Sequence, residues 1–212
     1  MTHFADMIDG YRRFRNGGWQ QQRERWEQLA EGQSPKVMII ACSDSRSEPS
    51  QIFDTNPGEI FVVRNVAALV PPFETTPGRH GVSAALEFAV QFLKVEEIVV
   101  MGHGMCGGCH AALHRTMAGA EPGRGGFIAD WIAMLDDASE QIRSEHQDID
   151  NREAGRAMEL AAVRVSLDNL GTFPCIQEKV RRGTLKLRGA FFAISDGVLH
   201  VMDEATGEFS PA

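Results

Sequence analysis

Cysteine is scarce in this sequence, with four residues among 212. That number is too small for a disulfide scaffold, in which dense cross-links compensate for a small core. We therefore interpret the cysteines as free thiols or metal ligands. Their grouping along the chain is then more informative than their number.

Positive charge is in deficit and long apolar runs are absent. The chain has 21 Lys and Arg residues against 29 Asp and Glu residues, a formal net charge of -8. This balance argues against a nucleic-acid partner or an anionic membrane surface, since both favour clustered positive charge. No stretch approaches the roughly 18 uninterrupted apolar residues of a membrane span, and the first residues lack the apolar core of a secretion signal. We expect a cytoplasmic protein without a nucleic-acid or membrane partner.

Short apolar runs alternate with a helical pattern in the first half of the chain. Residues 37–41, 59–64 and 97–102 are β-rich runs, short enough for strands that are buried on both faces. Residues 81–95 carry the apolar spacing of an amphipathic helix. A strand, a crossover helix and a second strand imply a parallel sheet.

The two ends of the chain add helices and further strands. The apolar spacing in residues 4–31 predicts two helices that are separated near Gly17. The pattern in residues 126–182 predicts further helices, with a polar break at 147–153. Residues 185–203 predict β structure. The fold class is therefore α/β, a mainly parallel β-sheet flanked by helices, with an N-terminal helical arm and a C-terminal β extension. We interpret residues 1–212 as a single domain whose arm, residues 1–31, packs on the core or on a partner subunit.

Two groups of polar residues follow the first and third predicted strands. Cys42, Asp44 and Arg46 lie in ACSDSR, and His103 and Cys106 lie in HGMC. Ligands gather at the carboxyl ends of parallel strands, where the loops of neighbouring strands meet. Thiolate and imidazole suit zinc, and three protein ligands leave the fourth tetrahedral position for water, as in catalytic sites.

The same residues carry a family resemblance. CSDSR, HGMCGG and the intervening PGEIFVVRNVAALVPP resemble the β-class carbonic anhydrases, and GQSPK at 32–36 resembles their plant-like branch. The resemblance implies one zinc per chain and reversible hydration of CO2 to bicarbonate and a proton, by attack of zinc-bound hydroxide on CO2. It also implies a homodimer or an assembly of dimers.

The resemblance further implies roles for individual residues. The metal ligands fall on Cys42, His103 and Cys106, and the catalytic pair falls on Asp44 and Arg46. A bidentate contact with Arg46 would keep Asp44 ionised and able only to accept a hydrogen bond. The substrate pocket would be lined by Gln33, contributed by the partner subunit, and by Phe61, Val66 and Phe88. Arg64 resembles a family position near the active site of the dimer.

Two alternatives from other functional classes remain. Cys106 and Cys109 form a C-x-x-C motif, which favours a thiol-disulfide oxidoreductase. A dithiol motif, however, usually opens a helix without a histidine three residues before it, and Cys109 stands where the family often has an apolar residue. We therefore interpret Cys109, like Cys175, as a small packed side chain. The other alternative is a non-catalytic zinc domain that binds bicarbonate.

Overall fold

The fold was obtained as a computed structural model, which describes residues 2–212. Its internal contacts divide the chain into two compact units, one ending at Ser34 and the other spanning Pro35–Ala212. The expectation of one domain with an arm at residues 1–31 stays a prediction.

The N-terminal unit is helical, as the sequence predicts, but it contains three helices instead of two. The expected break at Gly17 is present, and a second break falls at Gln22, whose backbone leaves the helical region. The rings of Phe14 and Trp26 meet edge to face, with centroids 5.8 Å apart, and so connect the first and last helices. The helices are α1 (Phe4–Asn16), α2 (Gly18–Gln21) and α3 (Arg23–Glu31).

The second unit is built on a six-stranded sheet. Its strands are β1 (Val37–Cys42), β2 (Ile60–Asn65), β3 (Glu97–His103), β4 (Lys186–Ala193), β5 (Val198–Met202) and β6 (Phe209–Pro211). Their order across the sheet is β2-β1-β3-β4-β5-β6. The first four of these run parallel, whereas β5 and β6 pair antiparallel. The predicted mainly parallel sheet with a C-terminal β extension is confirmed.

The central strands β1 and β3 are buried on both faces. Met38 and Ile40 belong to the same buried cluster as Val100, while Ile39 belongs to a different cluster with Met101. Side chains of a strand alternate between the two faces of a sheet, so both faces of these strands require apolar residues. Their buried position fixes where each strand ends, and therefore where the residues that follow it lie.

Five helices of the second unit lie within the predicted segments 81–95 and 126–182, whereas those at Pro49–Ile52 and Gly107–His114 were not predicted. Phe88–Leu93 continues the crossover helix with π-helical geometry. The polar break ends at Asn151, whose side chain caps the next helix by accepting a hydrogen bond from the Ala154 backbone N–H at 2.8 Å. Within residues 2–212 no helix is long and apolar enough to cross a membrane. The helices are α4 (Pro49–Ile52), α5 (Gly81–Glu87), α6 (Gly107–His114), α7 (Gly126–Ile132), α8 (Asp136–Glu145), α9 (Arg152–Leu170) and α10 (Pro174–Arg181).

Candidate metal centre

Three potential metal ligands meet at the carboxyl edge of the sheet. Cys42 is the last residue of β1 and His103 is the last residue of β3, and these strands are parallel neighbours. Cys106 follows as the N-cap residue of α6. All three side chains are buried, and their ligand atoms lie within 4.8 Å of one another. The structure thus brings together the three residues that the sequence predicts as ligands.

The distances and hydrogen bonds of this cluster fit a tetrahedral zinc ion. The Sγ atoms of Cys42 and Cys106 are 4.0 Å apart, and two thiolates about 2.3 Å from a tetrahedral ion would be about 3.8 Å apart. His103 Nδ1 lies 2.9 Å from the carbonyl oxygen of Gly104, which can only accept, so Nδ1 is the donor. Nε2 is buried next to Cys42 and has no hydrogen-bond partner of good geometry. An imidazole oriented through one nitrogen and free at the other is typical of a metal ligand.

Without a cation, the two thiols of this cluster are protonated. The neighbouring Cys106 thiol, followed by burial, raises the pKa of Cys42 to about 12. The pKa of Cys106 is also raised to about 12, and the Cys109 thiol makes the largest contribution to this increase. A coordinated thiol is deprotonated outright, so binding of a divalent cation releases these protons. Two bare thiolates are therefore electrostatically unfavourable in this cluster, and a bound cation would have to displace both protons.

Asp44 and Arg46 form a bidentate ion pair beside the cluster. Arg46 Nε donates to Asp44 Oδ1 at 2.9 Å and Nη2 donates to Oδ2 at 2.7 Å. The backbone N–H of Arg46 also donates to Oδ1, at 2.9 Å. These bonds hold the pKa of Asp44 well below its usual range, and the proximity of His103 contributes in the same direction. The carboxylate is ionised and fixed in orientation, as the sequence led us to expect.

Arg46 also connects the two loops of the site. Its Nη2 donates to the carbonyl oxygen of Met105 at 3.0 Å. Met105 precedes Cys106 and has a left-handed backbone with φ of 59°, which is uncommon for a residue other than glycine. The hydrogen bond helps to hold this unfavourable turn, so Arg46 positions the second loop as well as Asp44.

Arg64 has a clearer positioning role than its sequence context indicated. Its Nε donates to the carbonyl oxygen of Cys42 at 2.9 Å and its Nη2 donates to that of Asp44 at 2.6 Å. Nη1 pairs with the carboxylate of Glu48. One side chain on β2 thus satisfies two carbonyl groups of the loop that carries a predicted ligand and the predicted catalytic carboxylate.

Glu159 is a site residue that the sequence analysis missed. Its side chain accepts a hydrogen bond from the backbone N–H of Cys106 at 3.2 Å, and the residue is 8% exposed. Burial raises the pKa of this carboxyl group. Glu159 lies on α9, 53 residues beyond Cys106. No local motif marks it, because its role comes only from the packing of α9 against the loop.

The predicted substrate-pocket residues are placed as follows. The rings of Phe61 and Phe88 lie with centroids 5.9 Å apart. Val66 directly follows β2, is 39% exposed, and accepts a hydrogen bond on its carbonyl oxygen from Trp131 Nε1 at 2.9 Å. Gln33 is exposed and lies in the N-terminal unit. The role of all four pocket residues in substrate binding stays a prediction.

Close packing of α6 gives a first testable prediction. A Cβ on Gly108 would lie 2.7 Å from Val66 Cγ1 and 2.9 Å from Ala67 Cβ. We expect Gly108→Ala to lower the free energy of unfolding by about 1–3 kcal/mol through overpacking, as measured by urea denaturation. The adjacent Gly107→Ala is the control, because nothing lies within 4 Å of its added Cβ. Equal effects of the two substitutions would contradict the packing argument.

A protein-family model described as carbonic anhydrase matches residues 37–199. Beta carbonic anhydrase 5 of Arabidopsis thaliana, named as chloroplastic, is 36% identical over 193 residues, which are 91% of this chain and 62% of that protein. The chain therefore spans less than two thirds of that relative's length. Beta carbonic anhydrase 3 of the same plant is 34% identical over 194 residues, 92% of this chain and 74% of the relative.

Solved structures are similar over nearly the whole chain. The β-carbonic anhydrase CcaA superimposes with a TM-score of 0.90 at 28% identity, covering 99% of this chain and 92% of the other. A β-carbonic anhydrase from Sordaria macrospora, described as tetrameric, gives a TM-score of 0.78 at 27% identity, with 98% of each chain covered.

Proposed function

Because the chain belongs to the β-carbonic anhydrase family, we propose that it catalyses the reversible hydration of CO2 to bicarbonate and a proton. The metal would be zinc, one per chain, held by Cys42, His103 and Cys106. The observation that carries this proposal is the buried cluster of these three side chains, with an ionised aspartate fixed beside it. When bound, zinc supplies a Lewis acid that makes a coordinated water acidic enough to act as the nucleophile.

Asp44 would orient the attacking water. A carboxylate held by Arg46 in a bidentate pair can accept a hydrogen bond but has no proton to donate. If the attacking oxygen donates a hydrogen bond to Asp44, one of its lone pairs is left to attack the carbon of CO2. Arg46 would keep the carboxylate turned away from the metal, and Arg64 would hold the backbone on which Asp44 stands.

Phe61, Val66 and Phe88 would form an apolar wall for CO2, which is small and uncharged. The contact between Phe61 and Phe88 supports a shared apolar surface. Gln33 would contribute its amide from the partner subunit, so that one chain alone would lack a complete pocket. A cytoplasmic location is also proposed, on the basis of the sequence composition alone.

The oligomer gives a second prediction. We expect the active species to be a dimer or an assembly of dimers, in line with the tetrameric relative from Sordaria macrospora. Light scattering at the concentration used for activity assays measures this directly. A monodisperse monomer with full activity would refute the proposed contribution of Gln33 from a second chain.

The proposed function is tested by metal analysis together with a stopped-flow assay of CO2 hydration. We expect about one zinc per chain and rapid hydration that is lost on metal removal and restored by zinc. A zinc protein without hydration activity would favour the bicarbonate-binding domain. Disulfide exchange that requires Cys106 and Cys109, without any hydration activity, would favour the oxidoreductase.

A further inference from the structure

A thiol that the proposed mechanism does not use lies one helical turn beyond a metal ligand. Cys106 is the N-cap residue of α6 and Cys109 is the third residue of that helix. The backbone N–H of His110 donates to the carbonyl oxygen of Cys106 at 3.0 Å, which closes the first turn around both cysteines. The side chains of Cys106 and Cys109 are buried in the same apolar cluster. The two thiols are therefore neighbours on one side of this turn.

The local backbone permits the two sulfur atoms to approach each other. Cys106 has extended backbone angles, with φ of -71° and ψ of 119°, so the helix geometry does not constrain it. Two glycines separate the cysteines: Gly107 has nothing within 4 Å of an added Cβ, whereas Gly108 packs against Val66 and Ala67. The Cys109 thiol is also the first cause of the raised pKa of Cys106, which agrees with close proximity.

A cavity gives small molecules access to Cys106. It has a volume of about 800 Å³ and is lined by the loop that carries Cys106, by the first turn of α6 and by the start of α9. Cys106 and Cys109 are themselves 3% and 4% exposed. Their burial excludes a protein thiol as the direct reaction partner, whereas a molecule as small as a hydroperoxide can enter the cavity.

Cys42 is a second possible partner for Cys106, since their sulfur atoms are 4.0 Å apart. In the proposed metal centre, however, both of these sulfurs would be bound to the same ion. Cys109 is not a ligand, so it keeps its own thiol available to react while the metal is bound. This difference favours Cys109 as the residue that reacts with oxidised Cys106.

We propose that Cys106 and Cys109 form a reversible disulfide when the protein meets a hydroperoxide, and that the disulfide releases the metal. This inference rests on the proposed zinc site. Cys106, which would be deprotonated while it holds the metal, attacks one peroxide oxygen, the O–O bond breaks, and hydroxide (or the alkoxide of an organic peroxide) leaves, which produces a sulfenic acid on Cys106. The Cys109 sulfur then attacks the Cys106 sulfur. The S–O bond breaks, the Cys109 proton and the sulfenic oxygen leave as water, and the disulfide forms.

The two thiols together lose two electrons, and the peroxide gains them. The metal keeps only two protein ligands, Cys42 and His103, and dissociates. A reducing thiol restores both cysteines, whereas sulfinic acid, the next product of oxidation, is not reduced by ordinary thiols. Cys109 would thus protect Cys106 from irreversible oxidation and make the loss of metal reversible.

The experiment uses the purified full chain loaded with zinc. Hydrogen peroxide is added in the presence of a zinc-binding dye, free thiols are alkylated, and the peptides are mapped by mass spectrometry. We expect zinc release to accompany a peptide in which Cys106 and Cys109 carry no alkyl group and have lost two hydrogens. Dithiothreitol with added zinc should then restore metal binding.

The comparison variants are Cys109→Ser and Cys109→Ala, with Cys175→Ser as the matched control for loss of a non-ligand thiol. Before oxidation, all three should bind zinc as the unmodified protein does. After peroxide and dithiothreitol, the Cys109 variants should recover roughly fivefold less zinc than the Cys175 variant, because Cys106 is oxidised further.

Two results would overturn the inference: a Cys42–Cys106 disulfide as the main product, or equal zinc recovery with and without Cys109. Absence of zinc from the protein before oxidation would instead contradict the proposed function. The metal content at the start therefore distinguishes the two failures.

Discussion

Asp44→Asn is expected to retain zinc and to hydrate CO2 about 100- to 10,000-fold more slowly, the range attributed to a positioned proton-handling group. The three predicted metal ligands are unchanged, so the metal should stay bound. An amide, unlike the carboxylate, can present its NH2 group to the attacking oxygen and occupy the lone pair that must reach CO2. Stopped-flow rates at equal zinc occupancy measure the effect.

Asp54→Asn provides a matched control for this carboxylate-to-amide change. Asp54 is exposed and has a φ of 48°, a left-handed conformation that asparagine tolerates well. Its replacement should leave hydration within about twofold of the original rate, as expected of a surface substitution. A near-normal rate for zinc-loaded Asp44→Asn would mean that Asp44 serves only as the structural partner of Arg46.

Arg46→Ala should also reduce activity, but with a different change at the metal. It removes both side-chain bonds to Asp44 and the bond to the Met105 carbonyl group. The released carboxylate is attracted to the cation and can take the fourth position from water. X-ray absorption should then detect an additional oxygen ligand from the protein, whereas Asp44→Asn should keep an exchangeable water.

Cys106→Ser is expected to lose the metal and the activity together. The substitution replaces a thiolate with a hydroxyl group, which stays protonated at neutral pH and is a poor zinc ligand. We expect zinc content after dialysis to fall from about one per chain to less than about one tenth of that value. Atomic absorption measures the metal, and CO2 hydration should fall in the same proportion.

Cys109→Ser makes the same chemical change one turn further along α6 and is the appropriate control. It should keep about one zinc per chain and most of its hydration activity, because Cys109 is not among the predicted ligands. The opposite pattern, with zinc lost from the Cys109 variant and kept in the Cys106 variant, would transfer the ligand role to Cys109.

Much of the site could be predicted from the sequence because its main residues lie in short motifs. Asp44 and Arg46 are two residues apart, and their ion pair forms within one turn of the chain. Cys42 and His103 each end an apolar run that is typical of a buried strand. Parallel pairing of those runs then brings the two ends together, as general rules for α/β sheets predict.

Other features depended on contacts between segments that are distant in the sequence. The hydrogen bond from Cys106 to Glu159 joins the loop that carries Cys106 to a helix 53 residues further on, and Arg64 reaches the loop after β1 from a neighbouring strand. The second break in the N-terminal helices, at Gln22, has no glycine or proline to mark it.

By itself, the sequence predicted the fold class, a set of candidate metal ligands and, through its family resemblance, the pairing of Asp44 with Arg46. These predictions depend on residue type, hydrophobic periodicity and the local spacing of residues, all of which can be read from the sequence. Only the tertiary structure decided that the ligand atoms converge within 4.8 Å, that His103 has a free Nε2, and that Arg64 and Glu159 hold the loops. The reason is physical: these contacts form when packed strands and helices bring distant backbone groups together, and a buried polar group takes whichever partner the packing supplies.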